Sequence, residues 1–145
     1  MSIFSTRYKV YINHTDAGGI VYHANHLTFF ENCRRDWLTS LGFDGYFFDD
    51  DGTAAHGGRV HFVVSHADLS YKLPLLVDDL LVVSIENMVK KSASLILTQH
   101  IYQNEADYHA GKVASVGVIT LACVCNTPTG IRPQRLPAAF LKAVE

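Results

Sequence analysis

A carboxylate, three histidines and a Gly-Gly pair crowd one short stretch of the sequence, HTDAGGIVYHANHLTFF, residues 14–30. Asp16 lies in this stretch just ahead of a segment whose apolar periodicity predicts a helix. The first N–H groups of a helix have no intrahelical acceptor and carry the positive end of its dipole, so they can hold a developing oxyanion. Gly18 and Gly19 lack a Cβ, which lets a ligand approach the backbone closely. A carboxylate beside such a pocket is what acyl transfer requires of a base or nucleophile and an oxyanion hole.

The element that must position this stretch is an amphipathic helix that starts near Ala24. Its apolar residues recur at steps of three and four, and its polar residues fall largely on the opposite face. Asn25, or a residue just before it, is predicted to cap the start of the helix, and Gly42 is predicted to end it in a left-handed conformation. The apolar positions are Leu27, Phe30, Cys33, Trp37 and Leu41.

Five other segments are predicted to be β-strands, because they are rich in β-branched and aromatic residues and are bounded by turn signals. One strand precedes the helix, and the other four follow a loop over residues 43–60. Neighbouring strands pair most simply as an antiparallel meander, so the sequence predicts an α+β fold with one long helix on a curved sheet. A short helix at 137–144 is predicted to close the chain. The predicted strands cover residues 7–13, 61–71, 80–89, 94–104 and 113–125.

Composition favours a folded, single-domain protein over residues 1–145. The chain is 48% hydrophobic and 18% charged, and its 12 Lys and Arg against 14 Asp and Glu form no basic stripe that could follow nucleic acid. No stretch approaches the ~20 apolar residues that span a bilayer, and the first residues lack the features of a secretory signal. The three cysteines include no C-x-x-C pair. We therefore expect a cytoplasmic protein with no nucleic-acid partner and no transmembrane segment.

The stretch around Asp16 resembles the signature of the 4-hydroxybenzoyl-CoA thioesterase family, particularly its YbgC-like branch. The matching segments are 16–25 (DAGGIVYHAN), 29–31 (FFE) and 35–38 (RDWL), and a later Y-x-x-P-x-x-x-x-D segment also matches, at Tyr71, Pro74 and Asp79. The resemblance implies a hotdog fold, in which an antiparallel sheet wraps one long central helix. It also implies that Asp16 is the catalytic carboxylate and that the backbone N–H of His23 is the oxyanion donor.

The activity that this resemblance implies is hydrolysis of a small or aromatic acyl-CoA thioester, with no cofactor and no metal. Two residues depart from the family pattern. His26 stands where many relatives carry Tyr, and Asp78 stands where Gly usually precedes the matching Asp. We expect the residue at position 26 to influence the preference for acyl groups, and Asp78 to be a variation within a turn.

The last predicted strand, VASVGVITLACVC at 113–125, is apolar on both faces, where a sheet with one solvated face would alternate. A partner subunit would cover the second face, although a locally buried strand in a monomer gives the same pattern. We expect a homodimer or homotetramer. The family resemblance adds that the active site lies between two subunits.

Several other interpretations stay open at this point. Asp before Gly-Gly commonly forms a plain turn through its own backbone. The side chains of His14, Asp16, His23 and His26 are of types that zinc accepts. Glu31 is a second candidate carboxylate, because some hotdog thioesterases use an acid on the central helix. Two further functions are a non-catalytic hotdog module that binds an acyl thioester or another ligand, and a thioesterase for acyl-carrier protein. Release of free thiol from acyl-CoA separates an enzyme from a binding module.

Overall fold

Seven antiparallel strands curl around one long helix in the computed structural model, which describes residues 2–48 and 59–145. This architecture confirms the predicted α+β hotdog fold. The strands follow the order β1-β4-β5-β6-β3-β2 across the sheet, and β7 pairs with β6. Their bounds are β1 Phe4–Lys9, β2 Phe47–Phe48, β3 Val60–Tyr71, β4 Leu80–Lys90, β5 Ser94–Tyr102, β6 Ser115–Thr127 and β7 Gly130–Pro133.

The central helix is α1, Asn25–Ser40, and it is followed by α2, Glu105–Ala110, and α3, Ala138–Ala143. Gly42 ends α1 as predicted, with a φ of 95° and its N–H bonded to the carbonyl of Thr39. At the start, Ala24, the residue just before Asn25, is the capping residue, within the prediction, but it offers no side-chain cap. Asn25 instead donates from Nδ2 to the carbonyl of His14 at 2.8 Å. None of these helices is both long enough and apolar enough to cross a membrane, in the part of the chain that the structure describes.

Close contact between α1 and β6 determines where the start of the helix lies on the sheet. Phe30 is fully buried, and a Cβ added at Gly117 of β6 would come within 2.8 Å of its ring. Only glycine at this position lets the helix pack so near the strand. The contact brings the first turn of α1 beside Ser115, at the start of β6.

The predicted meander is correct for β4, β5 and β6 but wrong for β3, which pairs with β6 rather than with β4. The connection over residues 72–79 explains the difference. It crosses the end of the sheet and bonds to the loop ahead of α1, where Val21 N–H donates to Leu75 O and Val77 N–H donates to Gly19 O. β4 therefore continues on the far side of the sheet, beside β1.

Other predicted boundaries also changed. The first strand is Phe4–Lys9 rather than 7–13, because the chain turns into a single 3₁₀ turn at Ile12–His14. Both α2 and β7 are absent from the sequence prediction. The predicted loop over 43–60 contains β2, and residues 49–58 of that loop lie outside the described residues.

Two surfaces of the sheet have no neighbour among the residues that the structure describes. Strand β2 pairs only with Val60 and His61, so residues 63–71 of β3 form an edge with no further strand beside it in the described structure. On β6, alternate residues are buried against α1, and those on the opposite face are only partly buried. The predicted cover of this face by a second subunit remains a prediction.

Candidate active site

Asp16 lies at the tip of a tight loop between the 3₁₀ turn and α1. Its carboxylate Oδ1 accepts a hydrogen bond from the N–H of Gly18 at 2.8 Å, and its own N–H donates to the carbonyl of Ile20 at 2.9 Å. Gly19 takes a φ of 74°, a conformation that suits glycine. The residue is exposed, and Oδ2 has no hydrogen-bond partner among the described residues. The expected turn is therefore present, and it leaves one carboxylate oxygen available for chemistry.

The loop is held against the start of α1 by the backbone of His14. The His14 carbonyl accepts hydrogen bonds from Tyr22 N–H at 3.0 Å and from Asn25 Nδ2 at 2.8 Å. An isolated bridge between Thr15 and Val21 closes the same loop. These contacts hold the loop that carries Asp16 against the first residues of the helix.

His23 lies directly before α1, and its backbone N–H donates no hydrogen bond to any residue that the structure describes. Its carbonyl, by contrast, accepts from the Tyr71 hydroxyl at 3.2 Å and from His26 N–H at 3.3 Å. An N–H group at a helix start that lacks an intrahelical acceptor can bind an anion. The side chain of His23 is exposed.

A cavity of about 300 Å³ opens beside the start of α1. Its walls combine apolar side chains with two imidazoles, a phenol and one ammonium group. Asp16 is not part of the wall, but its loop contributes two of the lining residues. The lining consists of Ile20, Val21, His23, His26, Tyr71, Lys72, Leu73 and Pro74.

His26 is the most buried polar residue of this cavity, with 4% of its surface exposed. Its Nδ1 lies 2.9 Å from the hydroxyl oxygen of Ser115, and its ring meets the Tyr71 ring edge-on with centroids 4.7 Å apart. Burial, together with the nearby His23, lowers the pKa of His26 to about 4. The imidazole is therefore neutral at neutral pH. Sequence reasoning missed Ser115, because the two residues meet only through the packing of α1 on β6.

A second cavity of about 330 Å³ lies in a groove between α1 and β3, lined by Leu27, Thr28, Glu31, Arg34, Val64, Ala67 and Ile119. Glu31, the alternative carboxylate, is half-exposed here, 4.0 Å from Arg34 Nη2 and 3.9 Å from Arg35 Nε. Arg34 is buried and donates to the Tyr46 hydroxyl and to Gln99 Oε1. Glu31 thus neutralises two cations. The apolar walls of the cavity have room for an acyl group.

The four residues of the zinc hypothesis do not converge. His14 Nδ1 accepts from Tyr11 N–H at 2.9 Å, and His26 Nδ1 faces Ser115. Residues 2–48 and 59–145 contain no group of three or more His, Cys, Asp or Glu side chains arranged to hold a metal. The geometry gives the zinc hypothesis no ligand set in this part of the chain.

Comparison with known proteins links this geometry to a family. The model of the thioesterase superfamily matches residues 18–107. An acyl-CoA thioesterase YbgC of Haemophilus influenzae is 33% identical over 121 residues, which cover 83% of this chain and 80% of that protein. An acyl-CoA thioester hydrolase YbgC of Escherichia coli is 29% identical over 140 residues, 97% of this chain and 94% of that protein. The crystal structure of a probable thioesterase from Bartonella henselae is 27% identical, with a TM-score of 0.72 over 92% of this chain and 98% of that one.

Proposed function

Because the chain belongs to the thioesterase superfamily and is a thioester hydrolase, we propose that it hydrolyses small or aromatic acyl-CoA thioesters, with Asp16 as the catalytic carboxylate. The acyl-CoA class follows the two YbgC relatives, which cover most of this chain. The observation that carries the proposal is the juxtaposition of the Asp16 loop with the unbonded N–H of His23 at the helix start. Residues 1–145 then form one catalytic domain.

The reaction needs an attack on the thioester carbonyl carbon, a site for the negative charge that develops on the oxygen, and departure of the thiolate. Asp16 brings about the attack, either as a general base that takes a proton from the attacking water or as a nucleophile that forms a mixed anhydride. The backbone N–H of His23 donates to the developing oxyanion. Collapse of the tetrahedral intermediate then breaks the C–S bond and releases the CoA thiolate.

The acyl group is proposed to lie in the groove between α1 and β3. Each cavity has a residue of α1 and a residue of β3 in its wall, His26 and Tyr71 in one and Leu27 and Ala67 in the other. The loops before α1 and after β3 complete the first wall. A group that enters past the helix start would place its carbonyl by His23 and its hydrocarbon part against the apolar walls. The volumes of about 300 and 330 Å³ suit an aromatic ring or a short chain.

We also propose that the enzyme assembles as a homodimer or homotetramer with the active site between subunits. The unpaired edge of β3 borders the groove, and Leu27 and Val64 on its walls are 40% and 44% exposed. An open strand edge is a natural site for pairing with a second chain. A second subunit at this edge would cover the groove and exclude water from it.

The experiment that tests the activity is a panel of short-chain, long-chain and aromatic acyl-CoA substrates with detection of free thiol. Acyl-carrier-protein thioesters are included as a separate arm. We expect turnover of small or aromatic acyl-CoA. Turnover confined to the carrier-protein arm would reassign the substrate class. Binding without turnover in either arm would favour a module that holds an acyl thioester.

A single-turnover reaction in ¹⁸O-labelled water tests whether Asp16 acts as a nucleophile. When water attacks the aspartyl carbon of a mixed anhydride, the carboxylate acquires label and its own unlabelled oxygen passes to the product. A general base leaves the carboxylate unlabelled and places label from water in the acid product, and water attack at the acyl carbon of an anhydride gives the same pattern. Label in the carboxylate therefore identifies the nucleophile. Mass spectrometry of the peptide that contains Asp16, and of the product, reads both outcomes.

A further inference from the structure

The buried pair of His26 and Ser115 has no part in the mechanism described above. His26 is 4% exposed and Ser115 is completely buried, and their side chains are joined by one hydrogen bond of 2.9 Å. The pair connects the first turn of α1 with the first residue of β6, and its His26 lines the cavity beside the start of α1.

The buried hydroxyl of Ser115 determines which nitrogen of His26 carries the proton. Within the described residues, its one side-chain hydrogen bond is to His26 Nδ1. If Nδ1 carried a proton and donated it, the Ser115 O–H would be buried without an acceptor, which costs about 1–3 kcal/mol. The hydroxyl therefore donates to Nδ1. A neutral imidazole that accepts at Nδ1 carries its proton on Nε2.

The protonated Nε2 reaches the cavity. Every buried side-chain nitrogen or oxygen among the described residues has a hydrogen-bond partner, yet Nε2 of His26 has none there. Nε2 is therefore not sealed inside the protein, and it opens into the cavity that His26 lines. The edge-on ring of Tyr71 holds the imidazole plane from one side.

The groups around His26 favour its neutral form. From the loop before α1 it faces His23, from the end of β3 it faces Tyr71, from the connection after β3 it faces Lys72, and from β6 it faces Ser115. None of these side chains is a carboxylate, so none of them stabilises an imidazolium. Burial and His23 lower the pKa of His26 accordingly, to about 4.

We propose that His26 is a second oxyanion donor, whose Nε2–H, held in this tautomer by Ser115, donates to the thioester oxygen together with the N–H of His23. Side chains of a helix lean toward its N-terminus, the His26 N–H donates to the His23 carbonyl at 3.3 Å, and both residues line the same cavity. The inference rests on the proposed thioester hydrolysis. It assigns a catalytic contact to a side chain for which the sequence predicts only an effect on acyl preference.

No covalent bond forms between His26 and the substrate, and no proton leaves Nε2. Attack forms the new C–O bond while the carbonyl π electrons move onto the oxygen, which accepts hydrogen bonds from both donors. When the electrons return, the C–S bond breaks and the thiolate departs. A neutral imidazole suits this role, because it donates a hydrogen bond without protonating the oxyanion.

Three variants test the donor in the full-length protein. His26→Phe keeps a ring of similar size but removes the N–H, so kcat is expected to fall by roughly 10² or more, the scale of one lost oxyanion donor, with KM nearly unchanged. His26→Gln retains an amide N–H near the position of Nε2 and is expected to keep more activity than His26→Phe. Ser115→Ala removes the group that selects the tautomer and should lower kcat by less than His26→Phe does. The matched control is His109→Phe on α2, whose side chain is 70% exposed.

A measurement independent of catalysis reads the tautomer directly. NMR of the parent protein with ¹⁵N-labelled histidine should show His26 unprotonated at Nδ1 and protonated at Nε2. This protonation state should not change between about pH 5 and 8, because the pKa of His26 lies near 4. In Ser115→Ala the Nδ1–H tautomer should gain population. A proton on Nδ1 in the parent overturns the inference.

The kinetic outcomes separate this inference from the proposed function. A folded His26→Phe variant with kcat within a few-fold of the parent overturns the donor role alone. A parent that hydrolyses no thioester overturns the proposed function and the donor role together. A tenfold or greater gap in kcat between the Gln and Phe variants, with equal KM, supports the donor.

Discussion

Asp16 and His23 are proposed to act through different parts of their structures, the first through its carboxylate and the second through its backbone. Asp16→Asn keeps size and hydrogen bonding but removes charge and basicity, so kcat should fall by roughly 10² or more, while substrate binding survives. Steady-state kinetics and binding of an unreactive substrate analogue measure the two effects. Asp44→Asn, an exposed loop residue, is the matched control. If Asp16→Asn were as active as the parent, the mechanism would fail and Glu31 would be the next carboxylate to test.

His23→Ala should cause only a modest loss, because the backbone N–H remains in place. An oxyanion hole built from main-chain donors keeps most of its contribution of about 3 kcal/mol when a side chain is truncated. The measurement is kcat for the preferred acyl-CoA, with the oligomeric state checked in parallel. Damage equal to that of Asp16→Asn in a correctly assembled protein would give the imidazole of His23 a direct role.

The lowered pKa of His26 also predicts how stability depends on pH. The folded state keeps this group neutral down to about pH 4, whereas the unfolded chain protonates it near the ordinary value of 6.5. The unfolded state therefore binds more protons below about pH 6.5, and the free energy of unfolding falls by up to about 3 kcal/mol as pH drops from 6.5 to 4. His26→Phe should remove this part of the dependence. Denaturant unfolding of both proteins across that range gives the comparison, and parallel curves would contradict the prediction.

At the scale of elements, the contact of α1 with β6 is expected to control both stability and activity. Gly117→Ala places a methyl group about 2.8 Å from the ring of the fully buried Phe30, so the helix must shift. Such overpacking costs about 1–3 kcal/mol of the free energy of unfolding. Because the start of α1 carries the proposed oxyanion donor, kcat should fall as well.

A second substitution tests whether that loss comes from steric contact. Phe30→Leu removes the part of the ring that the new methyl group meets, so it should restore some stability when combined with Gly117→Ala. A double-mutant cycle by denaturant unfolding measures this coupling. Additive effects of the two substitutions would show that the helix and the strand are not in direct competition for space.

The unpaired edge of β3 leads to a prediction about the whole molecule. If a second subunit covers residues 63–71 and the groove beside them, sedimentation should show a dimer or tetramer. Specific activity should also fall on dilution as the assembly dissociates. The two measurements are compared over the same concentration range. A monomer that keeps full activity at nanomolar concentration would contradict a site shared between subunits.

The sequence alone predicted those features that depend on neighbouring residues. The periodicity of residues 24–42 predicted α1, because a helix that buries one face has apolar residues three and four positions apart. Gly42 after the last of these positions predicted its end. The closeness of Asp16 to the start of α1 was equally predictable, since one short loop joins them. Both α2 and β7 were missed, because six and four residues show too little periodicity to be recognised.

Tertiary structure alone decided which distant segments meet. The residue types of β3 predict a strand, but they do not identify β6 rather than β4 as its neighbour. The backbone hydrogen bonds of residues 72–79 to the Asp16 loop decide that. The same packing places Ser115 against His26 and Gly117 against Phe30. Local sequence determines which side chains are apolar and favour burial. The residues that they contact depend on how the strands are arranged in the whole fold. The proposed tautomer of His26 is therefore visible only in the folded molecule.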